Sequence, residues 1–330
     1  MQKIQWGIIG CGNVTEVKSG PAFNKVPDSK LVAVMRRDAG KAEDYAQRHQ
    51  VPKWYSNAQQ LIDDPDVNAI YIATPPSSHE EYALAAIEAG KPVYLEKPMS
   101  VDSSSAKRIA SVASSKNVKL CVAHYRRHLP LFKEIHSLLQ KNTIGQVRSV
   151  HLQLFQSHDK TGFEPGPDNW RLKPEISGGG IFHDLAPHQL DILYYYFGKP
   201  EFVTGLALNQ AGLYNADDFA TGIIRFPNNI IFNGTWAFNV PADASIDSCT
   251  IIGSSGYLQF SIFTMDKLLI HTNGQSQTVS IDVPQHVQQP MIAEVTQYFL
   301  GKRDNPCSGE DGFVVMELID KVVLRKSLLE

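Results

Sequence analysis

No CxxC pair occurs anywhere in the 330 residues, and the four cysteines, Cys11, Cys121, Cys249 and Cys307, lie far apart. That spacing supplies neither a zinc framework nor the dense bridging of a small secreted scaffold, so reduced thiols and a cytoplasmic setting are expected. No apolar run approaches the roughly 20 residues needed to cross a bilayer. The N-terminus passes from Met-Gln-Lys straight into an apolar run at 4–9, with neither the longer apolar core nor the small-residue cleavage site of a secretory signal. Charge of one sign is lacking too. The 31 basic and 34 acidic residues leave a formal net charge of -3, which offers no field for nucleic acid or an anionic membrane. Neither an internal repeat nor a low-complexity tract is present. What remains, 43% hydrophobic and 20% charged, is an ordinary globular composition long enough for two domains.

Along the first 123 residues the hydrophobic period alternates. Short β-rich runs at 4–9, 31–35, 69–73, 93–95 and 119–123 are separated by helical patterns at 39–49, 57–62, 79–89 and 103–115. Continuous apolar runs of this kind suit buried parallel strands, and their order predicts a doubly wound, parallel Rossmann-type α/β domain over 1–123. After Pro130 the texture changes. A helix is expected at 131–140, then strands with period-two alternation, including 222–226 and 230–236 around the turn Pro227-Asn228-Asn229. Further strands are expected near 246–252, 257–262 and 268–271, and helices at 291–300 and 313–328, with Pro290 suited to a first helical turn. Residues 124–330 therefore read as an α+β domain on a largely antiparallel, open sheet, assigned to substrate binding and oligomerisation. Strand 230–236 carries enough apolar bulk to suggest burial on both faces, which points to a homodimer or homotetramer through this sheet.

The loop Gly10-Cys11-Gly12-Asn13-Val14-Thr15 follows the first strand directly and precedes a helical segment, the context a dinucleotide-binding turn requires. Glycines let the backbone approach a pyrophosphate, and the N–H groups of Asn13 and Val14 open the helix that would meet it. Threonine replaces the third glycine, and Pro21 predicts a short or broken first helix. Cys11 is a small filler here, or a thiol with a lowered pKa beside a helix N-terminus. At the end of the second strand stand Arg36, Arg37 and Asp38. Two guanidiniums suit a ribose 2′-phosphate, which favours NADP, while Asp38 keeps NAD as the alternative. The plainer reading is a pair of solvated arginines.

Three later segments carry a resemblance. They are Thr74-Pro75-Pro76-Ser77-Ser78-His79, Glu96-Lys97-Pro98 at a strand end, and Gly178-Gly179-Gly180-Ile181-Phe182-His183-Asp184-Leu185-Ala186-Pro187-His188. Together with Arg126-Arg127, Ile144-Gly145, Trp170-Arg171 and Ile252-Gly253, they make the chain resemble the glucose–fructose oxidoreductase/inositol dehydrogenase (Gfo/Idh/MocA) family along nearly its whole length. The resemblance implies cofactor contacts from Thr74, Pro75, His79, Glu96 and Lys97, a cis Lys97–Pro98 peptide, and catalysis by Lys97, Asp184 and His188. Ala186-Pro187 departs from the family's frequent glycine, and a proline there removes one N–H from the helix.

Chemistry supports those three residues independently. Hydride transfer from an alcohol carbon needs a base for the hydroxyl proton and positive charge near the developing oxyanion. Asp184 and His188 are four apart and share one helix face, with Asp191 a turn further, so the carboxylate can orient the imidazole. Lys97 stands at the carboxyl end of a strand, where ligands bind in open α/β sheets. Taken singly, His188 reads as a structural histidine and Lys97 as a surface lysine. His183 and His188 are five apart and do not share a face as paired zinc ligands would, so no metal is expected. Substrate walls are expected from Tyr125, Arg126, Arg127, Trp170 and Arg171 and from the loop 157–168, a mixture of rings and guanidiniums suited to a sugar or polyol. The expected activity is NAD(P)-dependent oxidation or reduction of a sugar, polyol or related cyclic alcohol or ketone. The rivals are a hydrolase or lyase with tightly held NAD and a non-enzymatic sensor or regulator.

Overall fold

The structure is a computed structural model that describes residues 2–157 and 169–323. The first strands and helices alternate: β1 (Ile4–Ile9), α1 (Asn13–Val17), α2 (Gly20–Phe23), β2 (Ser29–Met35), α3 (Ala39–Arg48), β3 (Lys53–Tyr55), α4 (Ala58–Asp63), β4 (Ala69–Ile72), α5 (His79–Glu88), β5 (Val93–Leu95), α6 (Ser103–Ser115) and β6 (Leu120–Val122). The six strands form one parallel sheet in the order β3-β2-β1-β4-β5-β6. All residues of β4, β5 and β6 are buried, as strands covered on both faces by helices must be. Side-chain caps fix three helix starts: Asp38 accepts from Lys41 N, Asn57 from Gln59 N and Gln60 N, and Asp102 from Ser105 N. The first helix is broken as Pro21 predicts, ending at Val17 and resuming with the proline in the first turn of α2. Strand β3, three residues long with no buried position, is too short and polar to have shown in the hydrophobic pattern.

The chain continues with α7 (Pro130–Gln140), β7 (Val147–Phe155), α8 (Pro174–Ser177), α9 (Ile181–Phe197) and β8 (Phe202–Leu208). Then come β9 (Phe219–Phe226), β10 (Ile230–Ala237), β11 (Ile246–Gly253), β12 (Gly256–Phe260), β13 (Lys267–Thr272) and β14 (Gln275–Ser280), followed by α10 (Gln289–Phe299) and α11 (Gly309–Val323). The second sheet runs β14-β13-β12-β11-β7-β10-β9-β8. Every pair is antiparallel except β7 with β10. Pro227-Asn228-Asn229 turns β9 into β10 with both asparagines at positive φ. Helix α9 covers one face of this sheet, with Phe182 edge-on to Trp236 and Phe197 against Phe226.

The other face is open in the single chain. Strand β10 alternates, with Phe232 and Trp236 buried under α9 and Ile231 and Asn233 exposed on the face where a second copy is expected. Phe202, Leu206, Ile223 and Ile252 are exposed on the same side. Strands β8 and β14 lack the buried alternation that marks a strand: β8 is apolar but has a single buried position, and β14 is polar with none. Helix α11 begins four residues before the expected 313, and residues 324–328 of that expectation lie outside the described residues.

Two compact units emerge, Met1–Leu129 with Pro284–Phe313, and Pro130–Val283 with Val314–Glu330. A single division after residue 123 differs from these units in that a late segment returns to the first. The contacts explain it: the Phe299 ring packs 5.5 Å from Trp6, and Lys119 Nζ donates to the Tyr298 and Phe299 carbonyls at 2.7 and 3.1 Å. Among the described residues no helix is long and apolar enough to cross a membrane.

Candidate functional site

In the first unit the predicted residues gather where β1, β4 and β5 end, the point at which strand order reverses across the sheet. Gly10 has φ +94, and a Cβ there would lie 2.6 Å from Thr74 Cγ2 and 2.8 Å from Thr74 N. Only glycine combines that left-handed backbone with so close an approach. Gly12 differs, since a Cβ on it would meet nothing nearer than the Gly10 carbonyl at 3.9 Å. The N–H groups of Gly10 and Cys11 both donate to the Met35 carbonyl, which ties the loop to the end of β2. Asn13 and Val14 open α1.

Thr15, where a third glycine was expected, is buried. Its hydroxyl donates to the Gly12 carbonyl at 2.8 Å and its own carbonyl accepts from Tyr45 Oη at 2.8 Å. Close packing of α2 on α1 and α3 is supplied by Gly20, whose absent Cβ would collide with the Thr15 carbonyl and the Tyr45 hydroxyl. Burial pushes the Cys11 thiol up to about 11, which favours the filler reading of this buried cysteine over a reactive thiol. Arg36, half-buried at the end of β2, donates through Nη1 to the Cys11 carbonyl at 3.3 Å. Arg37 and Asp38 are exposed, and the Asp38 carboxylate is engaged as the cap of α3.

Thr74 Oγ1 accepts from Ser78 Oγ at 2.8 Å, and Pro75 leads into the short turn before α5. His79 is fully buried, with Nε2 2.8 Å from the Thr74 carbonyl and Nδ1 3.0 Å from the Pro98 carbonyl. Burial holds its pKa down to about 4 against those two acceptors, which favour the charged ring. His79 thus links the turn after β4 to the loop after β5. There Lys97 is half-buried and the Lys97–Pro98 peptide is cis. The Glu96 carboxylate points inward, accepting from Tyr71 Oη and Gln288 Nε2 at 2.6 Å each.

Tyr125, Arg126 and Arg127 occupy a buried turn just past β6. Arg126 Nη1 donates to Tyr125 Oη at 2.8 Å. Arg127 Nη1 lies 3.3 Å from Asp311 Oδ2 and 3.4 Å from the Pro306 carbonyl, contacts that secure the returning segment.

The second unit assembles the other predicted residues. The glycine run Gly178-Gly179-Gly180 has φ of +92, +157 and +88. A Cβ on Gly179 would strike the His183 ring, and one on Gly180 would strike Ala216, so the run is shaped for close packing at the start of α9. Asp184, His188 and Asp191 follow on that helix, at 7%, 5% and 1% exposure. Helix α9 runs unbroken through Pro187. His183 faces elsewhere, edge-on to Phe182, and burial lowers its pKa to about 4. Trp170 and Arg171 form a single turn. Arg171 Nε donates to Asp184 Oδ2 at 2.9 Å while its guanidinium lies 4.4 Å from the Trp170 ring centroid. Of the loop 157–168, residues 158–168 lie outside the described residues.

Two residues near His188 carried no sequence signal. Phe263 meets the imidazole edge-on, with centroids 5.8 Å apart. Asp247 shapes the turn that presents it, accepting from Ile262 N at 3.1 Å, Phe263 N at 2.8 Å and the Ser261 hydroxyl. A single aromatic after a strand and a single aspartate inside one have no motif. Only the register of β11 against β12 and the turn that follows brings them together.

Comparison with known proteins matches residues 4–124 to the model of an oxidoreductase family with an NAD-binding Rossmann fold, and residues 132–259 to that family's C-terminal domain. Oxidoreductase P35 of Formosa agariphila is 46% identical over 318 residues, covering 96% of this chain and 98% of its own. Trans-1,2-dihydrobenzene-1,2-diol dehydrogenase of Xenopus laevis is 28% identical over 294 residues, covering 87% and 83%. Among solved structures, a levoglucosan dehydrogenase in complex with NADH and levoglucosan superposes with a TM-score of 0.88 at 22% identity, covering 97% and 96%. An aldose-aldose oxidoreductase from Caulobacter crescentus reaches 0.85 at 21%, with the same coverage. These two structural likenesses show the fold.

Proposed function

The chain belongs to the Gfo/Idh/MocA oxidoreductase family, and on that premise we propose that it moves hydride between a nicotinamide cofactor and a ring hydroxyl of a sugar, polyol or related cyclic alcohol. The observation that carries this reading is the linked set at the strand-order reversal, where Gly10 packs on Thr74 and His79 joins the Thr74 carbonyl to the Pro98 carbonyl beside Lys97. Relatives named for levoglucosan and for a dihydrobenzenediol support a cyclic alcohol as the substrate class.

The residues fit a dinucleotide. Gly10 and Cys11 already donate to Met35, so the pyrophosphate falls to the N–H groups of Gly12, Asn13 and Val14. Because Asp38 caps α3 while Arg36 stays beside the glycine loop, we assign a preference for NADP, with Arg36 and Arg37 on its 2′-phosphate. Thr74 and Pro75 flank the nicotinamide end. The bound cofactor supplies the hydride acceptor or donor. His188 takes or returns the hydroxyl proton, Asp184 and Arg171 hold its surroundings, and Lys97 donates to the substrate oxygen as charge develops there. Tyr125, Arg127 and Trp170 complete the assignment of substrate-side residues. The open face of the second sheet, with Phe202, Leu206 and Ile223 about half exposed, is assigned to a homodimer or homotetramer, and the setting to the cytoplasm. A monomeric mass by light scattering would reject the assembly.

The test is a panel of sugars and polyols with NAD and NADP in parallel, read by reduced-nicotinamide absorbance. Turnover with at least one cyclic polyol is expected, falling by about 100-fold or more in Lys97→Ala and in His188→Ala. A panel without absorbance change, or full activity in both variants, removes the reading. Substrate consumption without net reduction, by a protein that keeps its cofactor through gel filtration, points instead to elimination or hydrolysis through a transient oxidation.

A further inference from the structure

We infer that Glu96, held by Tyr71 and Gln288, is a positioning residue that sets the place of Lys97. The inference rests on the role of Lys97 proposed above. Glu96 is 5% exposed, and both its carboxylate oxygens are bonded inward. Oε1 accepts from Tyr71 Oη and from Gln288 Nε2, each at 2.6 Å, and Oε2 accepts from the Lys97 backbone N–H at 3.0 Å. Tyr71 and Gln288 are themselves fully buried. Burial, reinforced by the neighbouring carboxylate, holds the Tyr71 phenol well above its ordinary pKa, which keeps it a donor. Ser19 Oγ lies 3.2 Å from Tyr71 Oη and 3.3 Å from the Val14 carbonyl, so the same network touches the glycine-loop helix.

The chemistry of the network argues against simple packing. Burying a carboxylate carries a large desolvation penalty, and an apolar side chain of similar volume commonly serves stability as well or better. A carboxylate kept there with three donors fixes direction rather than adding cohesion, and the group it fixes through Oε2 is the peptide N–H of Lys97. The other flank is fixed by His79, whose Nδ1 lies 3.0 Å from the Pro98 carbonyl. The Lys97 N–H on one side and the Pro98 carbonyl on the other are therefore both held by buried side chains, while Lys97 itself is half-buried. Gln288 reaches Glu96 from the segment that returns to the first unit, outside residues 4–124 and 132–259 where the family models match. Glu96 accordingly acts through Lys97 instead of touching the cofactor as the sequence suggested.

The experiment compares Glu96→Ala, Glu96→Gln and Gln288→Met with the wild-type protein by steady-state kinetics, NADH binding fluorescence and crystallography. Glu96→Ala is expected to lower kcat at least tenfold while KM and the NADH dissociation constant stay within threefold. Glu96→Gln, whose amide can still accept from the Lys97 N–H, should recover most of that loss. Gln288→Met should lose about threefold and guards against a Glu96→Ala protein that does not fold. In crystals, Lys97 Nζ should shift by more than about 1 Å in Glu96→Ala and Gln288→Met and return in Glu96→Gln. An unmoved Lys97, or wild-type kcat in both Glu96→Ala and Gln288→Met, overturns the inference. If the wild-type protein itself turns over nothing in the polyol panel, the parent reading has failed, and the position of Lys97 in the variants still decides this one.

Discussion

Arg171 Nε and Asp184 Oδ2 lie 2.9 Å apart, and the same guanidinium covers the face of Trp170. A turn carrying no regular helix thereby meets the first turn of α9 one helical turn before His188. Hydrogen bonds to charged groups contribute about 1.5–3 kcal/mol, which corresponds to roughly 10- to 100-fold in rate. Arg171→Leu is expected to lower kcat/KM by that range. Arg171→Lys should recover only part of it, because an ammonium keeps the charge but not the planar stacking on tryptophan. Steady-state kinetics on the best polyol of the panel checks this.

Cofactor choice is expected to follow Arg36. Arg36→Asp should cut kcat/KM with NADP by more than tenfold and leave NAD equal or better, since a carboxylate repels a 2′-phosphate and accepts from a 2′-hydroxyl. Parallel kinetics with both cofactors measures the ratio, and an unchanged ratio removes the assignment of that phosphate to the arginine.

Gly10 has no room for a methyl group. Gly10→Ala places a Cβ 2.8 Å from the Thr74 backbone nitrogen at φ +94, so strain of about 1–3 kcal/mol is expected. A lower thermal midpoint together with weaker NADH binding, by calorimetry and fluorescence, is the expected pair of results. Gly40→Ala, in the exposed first turn of α3 where a Cβ has room, serves as the control that leaves NADH binding unchanged and does not lower the thermal midpoint.

The buried ring of His183 couples stability to pH. Burial lowers its folded-state pKa from 6.5 to about 4, so on acidification the unfolded chain takes the proton first. The stabilisation is complete above pH 6.5 and is lost as pH falls through the window to about 4, at a cost on the order of 1–3 kcal/mol. Urea denaturation at pH 7 and pH 5 should show a smaller stability difference for His183→Gln than for the wild-type protein.

The parallel sheet was legible because β4 and β5 are buried throughout, β1 is apolar but for Gln5, and the glycine loop punctuates β1. Asp184 and His188 were legible because a spacing of four on one helix is a local property. What escaped was polar or non-local. Strand β14 has no buried residue, and β3 and β8 are recognised only through their neighbours in the sheet. Nothing in the sequence around Arg127 announces its pairing with Asp311, 184 positions away. The inward partners of Glu96, Tyr71 and Gln288, are equally silent in the sequence, lying 25 and 192 positions from it. Long-range pairing of this kind is set by topology and leaves no periodic trace.

The return of residues 284–313 to the first unit also constrains biosynthesis. Trp6 acquires its Phe299 neighbour, and Glu96 its Gln288 donor, only after the whole of residues 130–283 has been translated. A nascent chain halted near residue 124 presents the ribosome exit with a nucleotide-binding sheet whose aromatic flank is bare, a ready client for chaperones. Dissecting the protein into separately expressed halves at that point would reproduce the same incomplete intermediate, whereas a graft that carries 284–313 along would not.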